Sequence, residues 1–377
     1  MKYLKSVKLF LALMVLVPLS ISAQEKFEKQ FDVKAKEKLV IDLETGSSIH
    51  IEGWNKNIVS AVASVSGRNA EDVEFTFNKT SFGVEITSEY HGRNNNYSSK
   101  AELKIMVPNQ FDVEYKTMGG DVEVYKVEGR LEGTTMGGSL DLKNLKGYLD
   151  MKTMGGSIEL TDSEVDGDLQ TMGGTVLVEN VVGDVNASSM GGKVIHKNVK
   201  SSKKSVGKEI DISTMGGGID VDEALYGANV KTMGGEININ KVKQFLKAET
   251  MGGNIYVKEA DAWIKAKTMG GDVEVKLNCG TNADDRDVEL VSMHGDVTLY
   301  VPADFSMNVD IEIKYSEDDD DEADIISDFD IKENLTKGKE RKHINNTVTL
   351  HGAANLNGGK NKVTIRTVGG KVYLKKI

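Results

Sequence analysis

Thr117-Met118-Gly119-Gly120 is the first of a series of near-identical tetrapeptides that recur through the middle of the chain. Their methionines are Met118, Met136, Met154, Met172, Met190, Met215, Met233, Met251 and Met269. The step is 18 residues within the first five copies and within the last four, and 25 between the groups; a degenerate copy, Met293-His294-Gly295, follows 24 later. A fixed period indicates a repeat architecture, so this tetrapeptide decides the fold.

Aliphatic residues alternate with polar ones twice within each repeat. When Thr117 is position 1, positions 6 and 8 are Val122 and Val124, and a second pair at positions 15 and 17 is represented by Leu149 and Met151. Period-two alternation predicts strands with one buried face. Two short strands cannot bury that face alone, but repeats stacked at about 4.8 Å build a continuous core. The sequence therefore predicts an all-β solenoid, a single-stranded β-helix-like fold with about 18 residues and two short strands per coil.

Residues 1–23 predict a secretory signal peptide. They carry three lysines, an apolar run from Leu9 to Leu19 and small residues up to Ala23. That run is too short to span a bilayer, and no later stretch reaches 18 apolar residues, so no transmembrane span is expected in the mature chain. Export to the periplasm or the cell surface follows from this interpretation.

The rest of the chain divides into three parts. Residues 24–116 alternate strongly without the 18-residue period, which predicts an N-terminal β cap with degenerate coils, including a worn copy of the repeat at Thr45–Ile51. Residues 117–300 hold the regular repeats. Residues 301–377 predict C-terminal coils and a cap of longer strands, interrupted by an acidic insertion at 316–346. Caps are expected because an open end of a solenoid exposes unpaired backbone.

Charge and cysteine content exclude several classes of protein. The formal net charge of −11 becomes −14 when residues 1–23, with three lysines and no acidic residue, are removed. Nucleic-acid binding needs clustered Lys and Arg and is not expected. Cys279 is the only cysteine, so the chain has no internal disulfide, and the sequence supplies no His and acid to make it a nucleophile.

Several of these features together resemble a known family. They are the export signal, the alternating N-terminal strands, the Val107-Pro108 element, the repeated T-x-G-G corners followed by V-x-V, and the closing TVGGKVYLKKI of Thr367–Ile377. They resemble the bacterial family of exported β-strand-repeat proteins that carries an adhesin label, a domain of unknown function, over roughly residues 27–377. The resemblance implies the solenoid fold and an adhesin-like role, and it supplies no catalytic residues.

The direction of the repeated methionines stays open at this stage. Strand parity through positions 15, 17 and 1 places the threonine inside and the methionine outside, but a corner can reverse that order. Methionines that point inward would be flexible core fillers, whereas methionines that point outward would form a thioether stripe, either an adhesive surface or a target of oxidation.

Two acidic features are candidates for chemistry. Glu123, Asp141 and Glu159 share position 7, and a spacing of about 5 Å between adjacent coils is near that of the carboxylate pair in retaining glycosidases. A solvated acidic face explains the same residues. Asp318–Asp321 is a candidate for weak calcium binding, although the EF-hand spacing is absent. Neither feature leads to a predicted catalytic residue, metal ligand or cofactor.

The predicted contact surface consists of two apolar pairs at outward positions of consecutive coils. Phe245 and Trp263 share position 14, and Leu177 and Ile195 share position 7. Exposed apolar pairs on a polar solenoid are candidates for contact with a glycan or a protein partner of the envelope. Burial beneath a cap strand or an insertion is the plainer interpretation.

These observations predict a non-enzymatic, exported binding or structural protein of the cell envelope, adhesin-like in character. Two alternatives are kept. The first is a polysaccharide-active β-helix enzyme that uses the Glu123, Asp141 and Glu159 face. The second is a self-assembling envelope scaffold, against which the proline-bearing caps and the acidic insertion argue.

Overall fold

The computed structural model describes residues 25–67, 70–92, 99–200, 210–279, 286–316, 323–337 and 347–377. The predicted signal peptide and the acidic run at 317–322 lie outside these ranges. The described chain is all β apart from one short 3-10 turn at Ala70–Asp72.

The regular part is a solenoid of parallel strands in two columns. The first column, which leads into each Thr-Met-Gly-Gly corner, consists of β8 (Asp112–Thr117), β10 (Glu128–Thr135), β12 (Lys146–Thr153), β14 (Glu164–Thr171), β16 (Val185–Ser189), β18 (Ile210–Thr214), β20 (Ala228–Lys231), β24 (Val288–Ser292) and β30 (Asn361–Val368). The second, which follows each corner, consists of β9 (Val122–Tyr125), β11 (Leu140–Lys143), β13 (Ile158–Thr161), β15 (Val176–Glu179), β17 (Val194–Lys197), β19 (Ile219–Ala224), β23 (Val273–Leu277), β25 (Val297–Val301) and β31 (Val372–Lys376).

Every strand pairs with its copy one coil further on. Leu131 lies opposite Leu149, for example, and Leu140 opposite Ile158. Two longer strands, β21 (Ile237–Glu249) and β22 (Ile255–Thr268), run round the second corner and belong to both columns. The β-solenoid predicted from the 18-residue period is therefore confirmed.

The N-terminal end of the stack changes from parallel to antiparallel pairing. It is built from β1 (Glu25–Asp32), β2 (Lys38–Leu43), β3 (Ser47–Trp54), β4 (Ile58–Gly67), β5 (Val73–Lys79), β6 (Gly83–Tyr90) and β7 (Ser99–Pro108). β2 and β3 stack in register on β8 and β9, as the worn repeat predicts, and β6 and β7 add a further coil outside them. Antiparallel β5, β4 and β1 then cover that coil.

The C-terminal end is closed by strands inserted between two coils. Val363 of β30 lies directly opposite Val288, so the last corner, Thr367-Val368-Gly369-Gly370, stacks on the Met293 corner although it is far along the chain. The intervening strands are β26 (Met307–Ser316), β27 (Ile325–Ser327), β28 (Lys332–Lys337) and β29 (Thr347–Leu356). β26 and β27 continue the parallel stack, and β29 and β28 add antiparallel pairs to it.

The core is a narrow ladder of aliphatic side chains. Positions 6 and 8 of one column and positions 15 and 17 of the other point inward and are buried, and position 11, for example Leu145 or Val181, fills the second corner from inside. Tyr115 crosses this interior above Gly133, and its hydroxyl donates to the Met151 sulfur at 3.4 Å. A stack of this kind makes a rigid rod with two broad outer faces and two edges.

The second corner uses a left-handed residue that the sequence analysis did not single out. Position 10 has positive φ in the first five repeats, at Lys126, Asn144, Asp162, Asn180 and Asn198. Asn and Asp tolerate this conformation better than other residues with a Cβ. The next three repeats have Glu223, Lys241 and Glu259 there with no positive φ, and in the last two of them the strands merge into β21 and β22.

Candidate functional site

The threonines of the repeated corner point inward and the methionines point outward. The corner threonines and serines from Thr117 to Ser292 are 0–5% exposed, whereas the ten methionines that follow them are 41–51% exposed. Thr171 illustrates the cause, because its Oγ1 donates to the Gly156 carbonyl at 2.7 Å and accepts the Gly174 N–H at 3.3 Å. The polar corner interior therefore holds the hydroxyl, and the next side chain is directed to the surface.

The outward methionines form a single file along one edge, here called the methionine ladder: Met118, Met136, Met154, Met172, Met190, Met215, Met233, Met251, Met269 and Met293. The longer 25-residue step does not interrupt it, since the Gly216 N–H donates to the Met190 carbonyl at 2.9 Å. Ten coils at about 4.8 Å make an apolar, sulfur-rich strip about 43 Å long. An exposed apolar strip of this length is a mark of binding.

The middle of the ladder forms one wall of an open groove of about 630 Å³, here called the methionine groove. Met154, Met172, Met190, Met215 and Met233 face it from the corner. The opposite side carries the outward side chains of the first strand column, which are Thr134, Lys152, Gln170, Ser188, Ser213 and Lys231. No acidic side chain of the described chain lines the groove.

The two glycines of each corner differ in how much room there is for a Cβ atom. A Cβ on the second glycine, as at Gly138 or Gly156, would lie only 1.8–2.2 Å from the carbonyl oxygen of its copy in the preceding coil. A Cβ on the first glycine meets ordinary space at several corners: at Gly137 the nearest atom is 3.8 Å away, and at Gly252 it is 3.6 Å away. The second glycine is required by close stacking. The first has room for a Cβ at Gly137 and Gly252, whereas at Gly155 and Gly173 an added Cβ would lie 3.0–3.2 Å from the carbonyl oxygen of the preceding copy.

The last rung of the ladder carries a side chain where the others have the first glycine. His294 follows Met293, and its Nδ1 lies 3.1 Å from the carbonyl oxygen of Met269. A carbonyl only accepts, so Nδ1 bears the proton and donates. In the neutral ring the lone pair is then on Nε2.

The predicted aromatic pair lies on the outer face of the first strand column. Phe245 of β21 is opposite Trp263 of β22, and both side chains are half-buried. The Phe245 ring lies over Gly227, where an added Cβ would come within 2.1 Å of it. Trp263 forms part of a cleft of about 300 Å³, the tryptophan cleft, whose other lining residues are Asp287, Val288, Glu289, Lys362, Thr364 and Arg366.

The acidic side chains of the tryptophan cleft form ion pairs and hydrogen bonds with neighbouring groups. Glu289 lies 2.6 Å from Lys267 Nζ and 3.4 Å from Lys265 Nζ. Partial burial raises the pKa of Glu289, but the hydrogen bonds and positive charges of these lysines outweigh it and leave the pKa below its usual value. Asp287 accepts the Lys362 backbone N–H at 2.7 Å. The cleft therefore combines an aromatic wall with fixed acceptors and donors.

The second predicted pair is remote from the first. Leu177 of β15 and Ile195 of β17 lie opposite each other and are half-buried, but they belong to the second strand column, whose outer face points away from that of the first column. The four residues predicted as a contact surface therefore make two separate patches. The Trp263 patch adjoins the tryptophan cleft.

The acidic column has partners that the sequence analysis missed. Glu123, Asp141 and Glu159 lie side by side in β9, β11 and β13 and line a shallow cleft of about 310 Å³. His50 of β3 occupies the same column, with Nδ1 2.8 Å from Glu123. The coil that contains His50 lacks the Thr-Met-Gly-Gly corner, so the sequence analysis did not recognise that His50 occupies position 7. The alignment of Ile49 and Ile51 with Val122 and Val124 is the signal that identifies this position.

Asp141 accepts a hydrogen bond of 2.6 Å from the Tyr125 hydroxyl. Desolvation, and then the hydrogen bond to Asp141, raise the pKa of Tyr125 well above its usual value. The phenol therefore stays protonated and donates at neutral pH. Two of the three carboxylates, those of Glu123 and Asp141, therefore form hydrogen bonds with neighbouring side chains.

The stack of parallel two-strand coils defines a β-solenoid protein. The chain belongs to the family described as Toastrack DUF4097, which matches residues 36–372. This confirms the resemblance seen in the glycine corners and the closing repeat. No curated protein matches the chain. Within the described ranges, no helix has the length and apolar character needed to cross a bilayer.

Solved structures with a similar fold are distant in sequence. A "putative adhesin" from Bacteroides fragilis is 17% identical with a TM-score of 0.35, covering 67% of this chain and 97% of its own. A "putative adhesin" from Parabacteroides distasonis is 10% identical with a TM-score of 0.31 and coverages of 93% and 97%. A "putative lipid binding protein" from the same organism is 13% identical with a TM-score of 0.34 and coverages of 65% and 94%.

Proposed function

We propose that the chain is a non-enzymatic, exported binding protein of the cell envelope that contacts a saccharide through the tryptophan cleft. The observation that carries the proposal is the position of Trp263, half-buried beside Phe245 and ringed by Asp287, Glu289, Lys362 and Arg366. Export rests on the signal peptide predicted at residues 1–23.

The chemistry of the cleft suits a sugar ring. An indole offers a flat apolar surface to the C–H face of a pyranose, and side chains at its rim satisfy the hydroxyl groups. Carboxylates such as Asp287 accept from hydroxyls, and the Arg366 guanidinium donates to them. The lysine pairing of Glu289 fixes one acceptor before binding, which lowers the ordering cost of the complex.

Tryptophan fluorescence tests this proposal directly, because the chain has two tryptophans, Trp54 and Trp263. In a Trp54→Phe background the emission reports only the cleft. Titration with a panel of neutral, amino and uronic oligosaccharides is expected to shift or quench it with a saturable curve. Trp263→Ala should abolish binding of the same sugar measured by calorimetry, and Leu177→Ala on the opposite face should not.

The outcome that overturns the proposal is binding that survives Trp263→Ala, or no binding across the panel. An in-cell photo-crosslink placed at Phe245, with Glu123 as the control position, then tests whether a protein partner binds at the cleft instead. A discrete protein adduct from Phe245 alone would replace the glycan by a protein partner.

The polysaccharide-active alternative rests on one specific observation, the position of His50 beside Glu123 in the acidic column. An enzyme acting there needs a carboxylate free to attack or to exchange a proton, and Asp141 is held by the Tyr125 hydroxyl. We expect no turnover on the panel above. Turnover that Asp141→Asn abolishes without changing the melting temperature would establish the alternative.

The scaffold alternative predicts end-to-end association. Antiparallel strands cover the N-terminal end of the described parallel stack. At the C-terminal end they cover the first column, where β28 has only exposed residues, and the second column ends in the three-residue parallel strand β27. Such ends discourage strand addition. A monomeric sedimentation profile at high concentration is therefore expected.

A further inference from the structure

We propose that the methionine ladder binds soft monovalent metal ions, Cu(I) being the biological example, through thioether sulfurs from neighbouring coils. This inference goes beyond the proposed function, since it concerns a different edge of the solenoid and does not depend on the tryptophan cleft.

Methionine itself, rather than any apolar residue, is repeated along the ladder. The buried positions of the repeat vary freely among aliphatic residues: position 6 alternates among Val, Leu and Ile, and position 17 includes Met151, Leu169 and Ala187. The exposed position 2 is methionine in ten successive coils. A side chain this exposed contributes little to core packing, so stability does not explain the uniformity. Thioether sulfur is what the ten residues share.

The spacing of the rungs suits an ion that two sulfurs share. Neighbouring rungs are held at strand spacing by backbone hydrogen bonds such as Met136 N–H to the Thr117 carbonyl at 3.2 Å. Two sulfurs that share one ion lie within about 4.6 Å of each other, twice a metal–sulfur bond of about 2.3 Å. Rungs about 4.8 Å apart, on side chains with three rotatable bonds, reach that separation without moving the backbone.

The chemistry of the surroundings of the sulfurs favours soft ions. Thioethers are neutral, soft donors that select Cu(I), while carboxylate and carbonyl sites select Mg²⁺ and Ca²⁺. The methionine groove holds Thr, Ser, Gln and two lysines beside the sulfurs, and none of its described lining residues is acidic. Among these described residues, hard divalent cations find no carboxylate ligand. The bare first glycines, such as Gly137 and Gly252, leave the ladder open from the other side.

His294 adds an imidazole at the end of the ladder. Its Nδ1–H donates to the Met269 carbonyl at 3.1 Å, and this leaves the Nε2 lone pair available. Histidines that bind metals usually donate the other ring N–H to a carbonyl or carboxylate in this way. His294, Met293 and Met269 together offer one imidazole and two thioethers, and we infer that they form the tightest site of the ladder.

The test uses the mature full-length chain and two probes. Ag(I), which has the same soft character and is not redox-active under these conditions, is titrated by calorimetry, and Cu(I) is titrated in competition with a coloured Cu(I) chelator. Replacement of Met154, Met172, Met190, Met215 and Met233 by Leu keeps an apolar groove but removes its sulfur. The matched control replaces the buried Met151 and Met307 by Leu.

The five-fold Leu variant is expected to bind fewer ions than the parent chain, and the control is expected to bind the same number. His294→Ala should weaken the tightest site by at least about tenfold, as loss of even an outer partner of a metal ligand costs that much. Unchanged stoichiometry in the Leu variant, or no binding of either ion by the parent chain, overturns the proposal.

A second readout needs no variant and covers the case in which the Leu variant fails to fold. With ¹³C-labelled methionine methyl groups, Ag(I) should shift the resonances of the ladder methionines and leave those of Met151 and Met307 in place. Shifts in the buried methyls alone, or in none, would contradict binding at the ladder. An apolar ligand in the groove would instead bind equally well to the Leu variant, which separates that occupant from a metal.

Discussion

The Oγ1 hydroxyl of Thr153 donates a hydrogen bond of 2.7 Å to the carbonyl oxygen of Gly138 in the preceding coil. The Thr153 Oγ1 also accepts the Gly156 N–H at 3.3 Å, within its own corner. One buried hydroxyl therefore joins two coils and closes a turn. Its copies, such as Thr214 to Gly192 and Thr268 to Gly253, repeat the contact along the solenoid.

Thr153→Val should lower the free energy of unfolding by about 1–3 kcal/mol, because a methyl replaces the hydroxyl and leaves buried backbone groups without their partner. Thr153→Ser keeps the hydroxyl and loses one buried methyl, worth about 0.8 kcal/mol. Serine already occupies this position at Ser189 and Ser292. Urea denaturation of the three proteins measures the difference, and equal losses for Val and Ser would contradict the assigned role.

Adjacent glycines of one corner should respond oppositely to a methyl group. Gly138→Ala places a Cβ 1.8 Å from the Gly120 carbonyl oxygen, and we expect a loss of about 3 kcal/mol or more from the forced shift of two coils. Gly137→Ala meets no atom closer than 3.8 Å and is not left-handed, so it should stabilise by about 0.4–1 kcal/mol through the unfolded chain. Thermal melts of the Gly138→Ala and Gly137→Ala variants measure the two effects. Similar melting temperatures would show that close stacking does not require the second glycine.

The sequence was sufficient for the solenoid, its period and its inward positions, because each depends on spacing that is repeated many times. The direction of the methionines was left open, since a corner can reverse strand parity; the burial of the corner threonines and the Thr171 hydrogen bonds show that parity holds there. His50 was missed because it contacts Glu123 across coils and belongs to a coil without the Thr-Met-Gly-Gly corner. The tryptophan cleft depends on β30, which returns from the end of the chain to lie beside β24.

His196 is a further case that spacing alone does not explain, because it is a polar residue at an inward position. It lies between Val178 and Val221 in the stack, is 2% exposed, and its Nε2 has no hydrogen-bond partner within the described structure. Burial lowers its pKa from 6.5 to about 4. The folded protein therefore keeps a neutral imidazole at a pH where the unfolded chain would protonate it.

His196→Leu should raise the free energy of unfolding by about 1–3 kcal/mol at pH 7, since an unpartnered polar atom leaves the core. The pH dependence should change too. In the parent chain the unfolded state binds the extra proton first, so stability is complete above about pH 6.5 and falls, by at most about 3 kcal/mol, as the pH drops towards 4.

Urea midpoints measured from pH 7 to pH 4 test this. The part of the slope due to His196 should vanish in His196→Leu and in His196→Val, and His91→Gln, which removes an exposed imidazole, should retain it. An unchanged slope in both His196 variants would show that other groups carry the acid sensitivity.

The last prediction concerns oxidation of the methionines. Sulfoxide formation follows exposure, so dilute peroxide should oxidise the ten ladder residues well before Met151 and Met307, which are fully buried. Because the ladder lies outside the core, the oxidised chain should keep its far-UV circular dichroism and nearly its melting temperature, while the edge changes from apolar to polar. Peptide mapping by mass spectrometry gives the order of oxidation. Oxidation of Met151 at the rate of Met172, or unfolding in step with sulfoxide formation, would mean that the ladder methionines support the fold.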